Sequence, residues 1–347
     1  MKRVRVFLLI IMVAIGLSVL TGCSDNQPQI NVFNWGEFIY MPVLRMFTEE
    51  TGIRVVYDTY ATNEEMYQRI LAGGADFDVL FPSDYMIERM ALAGMLAPLN
   101  WDNIPNRVYI DERFWDMPFD PHNRYSVPYK WGTFGIMYNT TKVDVPVYSW
   151  DILWNPRFAG EIFMYYASRD TMGAALKRLG FSLNTTCIDE VHAARDSLIE
   201  QGPLVRAFLG DGIRDRLVRG DGMLGTVFSG DALWARVDNP DINFVVPIEG
   251  TQIFLDSMVI PATSTRQNEA EMFINFMTRP DIAYLNTRYT RYSTTNAAAF
   301  VKLPDYMREC TIYWPPEEIF PKLEAFVDLG DFKEDFERAW TEVMVAR

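Results

Sequence analysis

Aromatic rings and carboxylates recur in this sequence where short apolar runs give way to turns. Trp35 and Glu37 follow residues 30–33, Ser83 and Tyr85 follow residues 78–81, and Asp170 follows residues 161–165. Phe228 precedes Ser229-Gly230-Asp231, and Tyr292 sits in a further turn. Phe254 and Asp256 flank Leu255 in an extended stretch, which turns their side chains to one face. Together such a set suits an ammonium or alkyl-diamine ligand. Carboxylates pair with the nitrogens, while ring faces stack on methylenes and attract cations. Taken singly, each residue has a plainer use. Phe228 and Phe254 read as core, Asp170 as a helix cap and Tyr292 as a surface turn.

Motifs for bond-breaking chemistry are absent. The chain has no G-x-x-x-x-G-K-[ST], G-x-G-x-x-G, H-E-x-x-H or G-x-S-x-G. Asp211-Gly212 and Asp221-Gly222 lack the alternating ligands of a calcium loop and read as turns. With only 2 histidines, His122 and His192, a His-based metal site has little to draw on. These features point to a binding protein without catalysis, cofactor or metal.

The elements that must position these residues alternate. Residues 30–33 form a short apolar strand, and 42–51 have helical spacing with Pro42 near N1 and Gly52 as the stop. Residues 53–57, with β-branched Ile53, Val55 and Val56, read as a second strand. Thr62-Asn63-Glu64-Glu65 is a capping box that opens a helix to about Leu71, and 78–81 are a third, buried strand. This β-α-β-α-β order predicts an α/β layer with a mostly parallel sheet, which binds ligands at the carboxyl ends of its strands. Further strands are expected at 125–128, 133–138, 161–165, 225–228, 244–247, 253–255 and 257–260. Helices are expected at 150–154, 169–179, 189–200, 268–277 and 281–286, with two more in the tail 316–347.

Hydrophobic residues make up 49% of the 347 residues and charged residues 22%, enough apolar material for two domains or lobes. With 32 basic and 46 acidic side chains, the net charge of −14 disfavours nucleic acid and is compatible with a cationic ligand. The N-terminus reads as an address. Lys2, Arg3 and Arg5 precede an apolar run from Val6 to Leu20, which is short of the roughly 20 residues of a membrane span. The run ends in Leu20-Thr21-Gly22-Cys23, which resembles a bacterial lipobox with Cys23 as the lipidated residue. Residues 1–22 are then a signal peptide and 23–29 a lipidated tether, with the body at an outer surface or in a periplasm. Cys187 and Cys310 are either a disulfide or two free thiols.

Longer stretches carry a family resemblance. Phe33-Asn34-Trp35-Gly36-Glu37-Phe38-Ile39 resembles the opening strand and turn of bacterial spermidine/putrescine-binding proteins, the solute-binding components of polyamine ABC transporters. Pro82-Ser83-Asp84-Tyr85, Ser126-Val127-Pro128-Tyr129-Lys130-Trp131-Gly132, Ala175-Leu176-Lys177-Arg178-Leu179-Gly180 and Leu255-Asp256-Ser257-Met258-Val259-Ile260-Pro261 match in the same order. The resemblance covers roughly residues 30–345. It implies a two-lobed periplasmic-binding-protein fold of type II-like form, each lobe a mixed sheet flanked by helices, with the ligand in the cleft. The lobes would be 30–133 plus 254–300 and 134–253 plus 301–347. The implied partners are a polyamine, a membrane permease and its ATPase, with the receptor a monomer.

The resemblance places ligand-binding aromatics at Trp35, Phe38, Tyr85, Phe228, Phe254 and Tyr292, acids at Glu37, Asp170 and Asp256, and a polar group at Ser83. Departures bear on ligand choice. Phe228 and Phe254 stand where the family carries tryptophan, Ala167 stands for one of two acids, Gly36 for a common threonine, and the tail glutamine is replaced near Val327 and Asp328. Fewer anions imply that putrescine is favoured or matched relative to spermidine. The alternatives are another small solute, such as an amino acid derivative or sugar, and ferric iron held by Tyr165 and Tyr166.

Overall fold

The computed structural model describes residues 27–73, 76–210 and 212–346. The leader, Cys23 and most of the tether lie outside them. In chain order the strands are β1 (Gln29–Trp35), β2 (Arg54–Tyr60), β3 (Val79–Leu80), β4 (Ser126–Asn139), β5 (Ile162–Tyr165), β6 (Val205–Leu209), β7 (Leu224–Phe228), β8 (Ile242–Val245), β9 (Ile253–Val259) and β10 (Ser293–Thr294). The helices are α1 (Pro42–Thr51), α2 (Asn63–Leu71), α3 (Asp84–Leu92), α4 (Ser168–Arg178), α5 (Ile188–Gln201), α6 (Gly212–Arg219), α7 (Ser229–Asp238), α8 (Gln267–Met277), α9 (Pro280–Thr290), α10 (Ala297–Phe300), α11 (Asp305–Arg308) and α12 (Lys333–Val345).

Local chemistry explains the first elements. Pro42 opens α1, and Gly52 closes it in the left-handed region at φ 74°, donating to Thr48 O. At α2 the Thr62 Oγ1 accepts from Glu65 N at 3.1 Å, while Glu65 Oε2 accepts from Ala61 N at 2.9 Å. The box closes one residue earlier than the textual pattern, but it satisfies the same kind of orphan donors.

Strands follow the order β2-β1-β3-β9-β4-β7-β5-β6, with β8 and β10 also paired to β4. β1 runs parallel to β2 and β3, and β5 parallel to β6 and β7; β9 is antiparallel to β3 and β4. The sheet is therefore mixed rather than mostly parallel. β4 joins the two lobes. Residues 126–133 pair with β9, and residues 134–139 pair with β7 and β8. Two expected strands are thus one, and 253–255 and 257–260 likewise merge into β9. Two buried clusters draw on residues 30–131 and 255–282; two others draw on 134–246 and 303–343. Trp314 and Phe320 pack on Trp131, tying the start of the tail to the first lobe.

The tail forms one long helix, α12, not two. Pro316 and Pro321 deny the preceding segment a helical backbone. It instead runs through single turns and pairs Glu324 with Gln252 and Lys177. Cys187 and Cys310 are free thiols, Cys187 exposed and Cys310 partly buried. No described helix is long and apolar enough to cross a membrane.

Candidate functional site

The strand ends converge as the parallel pairs require. The carbonyl of Phe81, one residue past β3, accepts from Trp35 Nε1 at 2.8 Å and from Tyr60 Oη at 2.7 Å. The two rings lie 4.7 Å apart, so one backbone oxygen fixes the half-buried Trp35. Ser83, just before α3, is bridged to Asp256 of β9, and its Oγ donates to Asp256 Oδ1 at 2.6 Å. Tyr85 Oη donates to Glu64 Oε1 at 2.9 Å and accepts from Asn63 Nδ2 at 3.2 Å.

Rings cross from one lobe to the other. Phe38 lies 5.2 Å from Tyr292, Tyr292 5.8 Å from Phe254, Phe254 5.4 Å from Phe228, and Phe228 5.4 Å from Tyr165, all edge to face. Aromatic faces attract cations and stack on methylenes. Close approach depends on glycine. A Cβ at Gly230 would fall 2.4 Å from the Tyr292 ring. Gly230→Ala should therefore disfavour the lobe contact by roughly 1–3 kcal/mol, seen as a larger radius in solution scattering and weaker ligand binding; an unchanged radius and affinity would refute it.

The acids divide into distinct environments. Asp256 is 4% exposed, and burial pushes its carboxyl up to about 7 against the lowering by Ser83. Asp170, in the first turn of α4, is also pushed up to about 7, mainly by burial. Arg169 opposes this shift, and the Glu64 carboxylate of the other lobe adds to it. Glu37 is exposed, in a turn at φ 53°, and its carboxylate acts on Arg214 of the second lobe. It thus stands apart from the Ser83–Asp256 pair.

Several groups of this site had no distinctive signal. Asp84 is fully buried, its Oδ1 accepts from Tyr85 N at 2.8 Å, and its Oδ2 has no hydrogen-bond partner. Burial holds its carboxyl well above the usual range, helped by Asp256. As the first residue of a helix, an Asp reads simply as a dipole partner. Glu64 likewise reads as part of a capping box. Tyr165 joins the ring wall, whereas Tyr166 is exposed and packs on Trp340. The two phenols diverge, and among the described residues no three His, Cys, Asp or Glu side chains are placed to hold a metal.

Buried carboxylates near aromatic rings are chemically suited to an alkyl ammonium. A family model described as bacterial extracellular solute-binding protein matches residues 73–316. The spermidine/putrescine-binding periplasmic protein of Escherichia coli K12 is 33% identical over 338 residues, covering 96% of this chain and 97% of its own. Among solved structures, the spermidine/putrescine ABC transporter substrate-binding protein PotD of Streptococcus pneumoniae has TM-score 0.86 and 34% identity, covering 92% of this chain and 99% of that one. The TpPotD lipoprotein of Treponema pallidum has TM-score 0.83 and 25% identity, covering 91% and 99%.

Proposed function

The chain belongs to the bacterial extracellular solute-binding proteins, and on that premise we propose that it is an extracytoplasmic polyamine receptor serving an ABC transporter. Its relatives are binding proteins, not enzymes. The observation that carries the ligand class is Asp256: a nearly buried carboxylate bonded to Ser83, on the strand whose Phe254 belongs to the interlobe ring wall.

An amine chain would lie along Phe38, Tyr292, Phe254 and Phe228, with one ammonium on Asp256 and another on Asp170. Trp35 and Tyr85 would flank it, and Glu37 would lie at one end. The lobes, taken as 30–133 plus 254–300 and 134–253 plus 301–347, would open and close about β4 and β9. The closed form would be presented, as a monomer, to a permease powered by a separate ATPase. Lipid on Cys23 would hold the receptor at the membrane, as befits a relative of a spirochaetal lipoprotein; the mass of the extracted protein would show or exclude the acyl chains.

Calorimetric titration with putrescine and spermidine, using cadaverine and arginine as controls, tests the reading. Saturable one-to-one binding of a polyamine at micromolar concentration or below supports it. Folded, ligand-free protein that gives no heat with either polyamine would move the ligand to another class of small solute.

A further inference from the structure

One end of the ring-lined cleft carries a cation of its own. Arg214 is 30% exposed, its Nη1 lies 3.7 Å from Asp231 Oδ1, and its Nε lies 3.1 Å from Asp215 Oδ1. Asp231 is only 16% exposed and directly follows Gly230, on which the Tyr292 ring rests. Tyr292 in turn meets Phe38, the neighbour of Glu37. Through Tyr292, the Phe38 that follows Glu37 and the Gly230 that precedes Asp231 are thus brought to one ring, with the Glu37 charge acting on Arg214. Burial works against the Arg214 charge, but Asp215, Asp231 and Glu37 outweigh it. A guanidinium does not deprotonate in proteins, so this positive charge is permanent.

Elsewhere the anions are left for a ligand. Asp256 and Asp170 have no ion-pair partner among the described residues. The guanidinium next to Asp170, that of Arg169, acts on that carboxylate electrostatically but makes its hydrogen bonds inside its own lobe. It donates to Asn184 Oδ1 at 3.0 Å and stacks on Phe326 at 4.3 Å.

We propose that Arg214 is a resident cation at the Glu37 end of the cleft, and that it makes the site select a ligand with two ammonium groups over one with three. The proposal rests on the polyamine reading above and names the substrate within it. A diamine places its charges on Asp256 and Asp170 without meeting Arg214. A longer triamine carries a third charge toward Glu37, within electrostatic reach of the guanidinium held by Asp215 and Asp231, and selectivity follows from that repulsion. Arg214 is thus a specificity-determining residue.

The test is the ratio of spermidine to putrescine dissociation constants. In the wild type, putrescine should bind the more tightly. Arg214→Gln, which keeps much of the bulk and loses the charge, should shift the ratio toward spermidine by about tenfold. Arg214→Lys should keep the wild-type ratio, and adding Glu37→Gln to Arg214→Gln should abolish the gain. A purely structural role for Arg214 would change both affinities together. A mutation-free arm uses N1-acetylspermidine, which keeps the four-carbon diamine and carries an amide at its far end. It should bind the wild type at least as tightly as spermidine. A ratio unmoved by Arg214→Gln, or acetylspermidine about tenfold weaker than spermidine, would overturn the assignment while leaving the polyamine receptor intact. If the wild type binds no polyamine at all, both readings fall.

Discussion

Asp256→Ala should weaken polyamine binding by about 2–5 kcal/mol, as expected for removing one partner of a buried charge pair, while the protein still folds. The carboxylate is 4% exposed and sits mid-strand on β9, opposite Lys130 of β4. Its hydrogen-bond donor is the Ser83 hydroxyl, at 2.6 Å. An ammonium brought to this place without Asp256 would lose its hydration and gain no counter-charge. Folding should survive because the group is held in an environment that already disfavours its charge, with its pKa pushed up to about 7. Asp256→Asn should accordingly melt no lower than the wild type at pH 8. Titration calorimetry and thermal melting of the two variants provide the check. Wild-type affinity in Asp256→Ala would remove the residue from the site.

Proton release on binding is the second expected result. Asp256 and Asp170 are both raised to about 7 in the ligand-free protein, so near neutrality each is partly protonated. A bound ammonium favours the ionised forms, and the protons must leave. Affinity should rise from pH 5.5 to 8, by up to about tenfold per pH unit for each proton displaced. The primary amines of a polyamine stay charged throughout this range, with a reference ammonium pKa of about 10.4. Each carboxyl is raised mainly by its own burial, so both contribute to the slope. Calorimetry in two buffers of different ionisation enthalpy counts the protons. A pH-independent affinity with no buffer dependence would mean that both carboxylates are already ionised before the ligand arrives.

The same shifts fix the sign of the stability change. A carboxyl raised in the folded state binds protons that the unfolded chain has already released. Its stabilising contribution is complete below the ordinary carboxylate range and is lost as pH rises through about 7. Between pH 6 and 8 the ligand-free protein should therefore melt progressively lower, and saturating ligand should reverse the trend. Lower pH is a less useful window, because Asp111 and Asp281, held down chiefly by Arg113 and Arg279, lose their pairings there.

How far these features could be read in advance depended on how local their causes are. The helix at 42–51, its Pro42 start and its Gly52 stop arise from backbone constraints within one turn, and they form as expected. The strands around Gly132 and Gly135 were harder. Glycine within a strand pattern suggests a break. Here β4 continues, because a Cβ at Gly132 would lie 2.6 Å from the Phe254 ring and one at Gly135 would lie 2.5 Å from Val245 O. Both glycines permit close approach to partners more than a hundred residues away. Helix α7, unforeseen, begins at Ser229-Gly230-Asp231 for a related reason: Gly230 weakens local helical preference but clears space for Tyr292.

The alternation of strands and helices, the acidic balance and the presence of rings and acids at strand ends all follow from side-chain type and short-range spacing, and were legible in the chain. Which of those groups share one environment depended on the folded arrangement. It set Ser83 on Asp256, left Asp84 buried beside them, brought Glu64 and Asp170 into electrostatic contact from opposite lobes, and put Arg214 against the Glu37 end. Burial and Coulomb coupling depend on distances through space: residues 83 and 256 become neighbours only when β9 returns beside β3 within one lobe, and residues 37 and 214 come within electrostatic reach only across the two lobes.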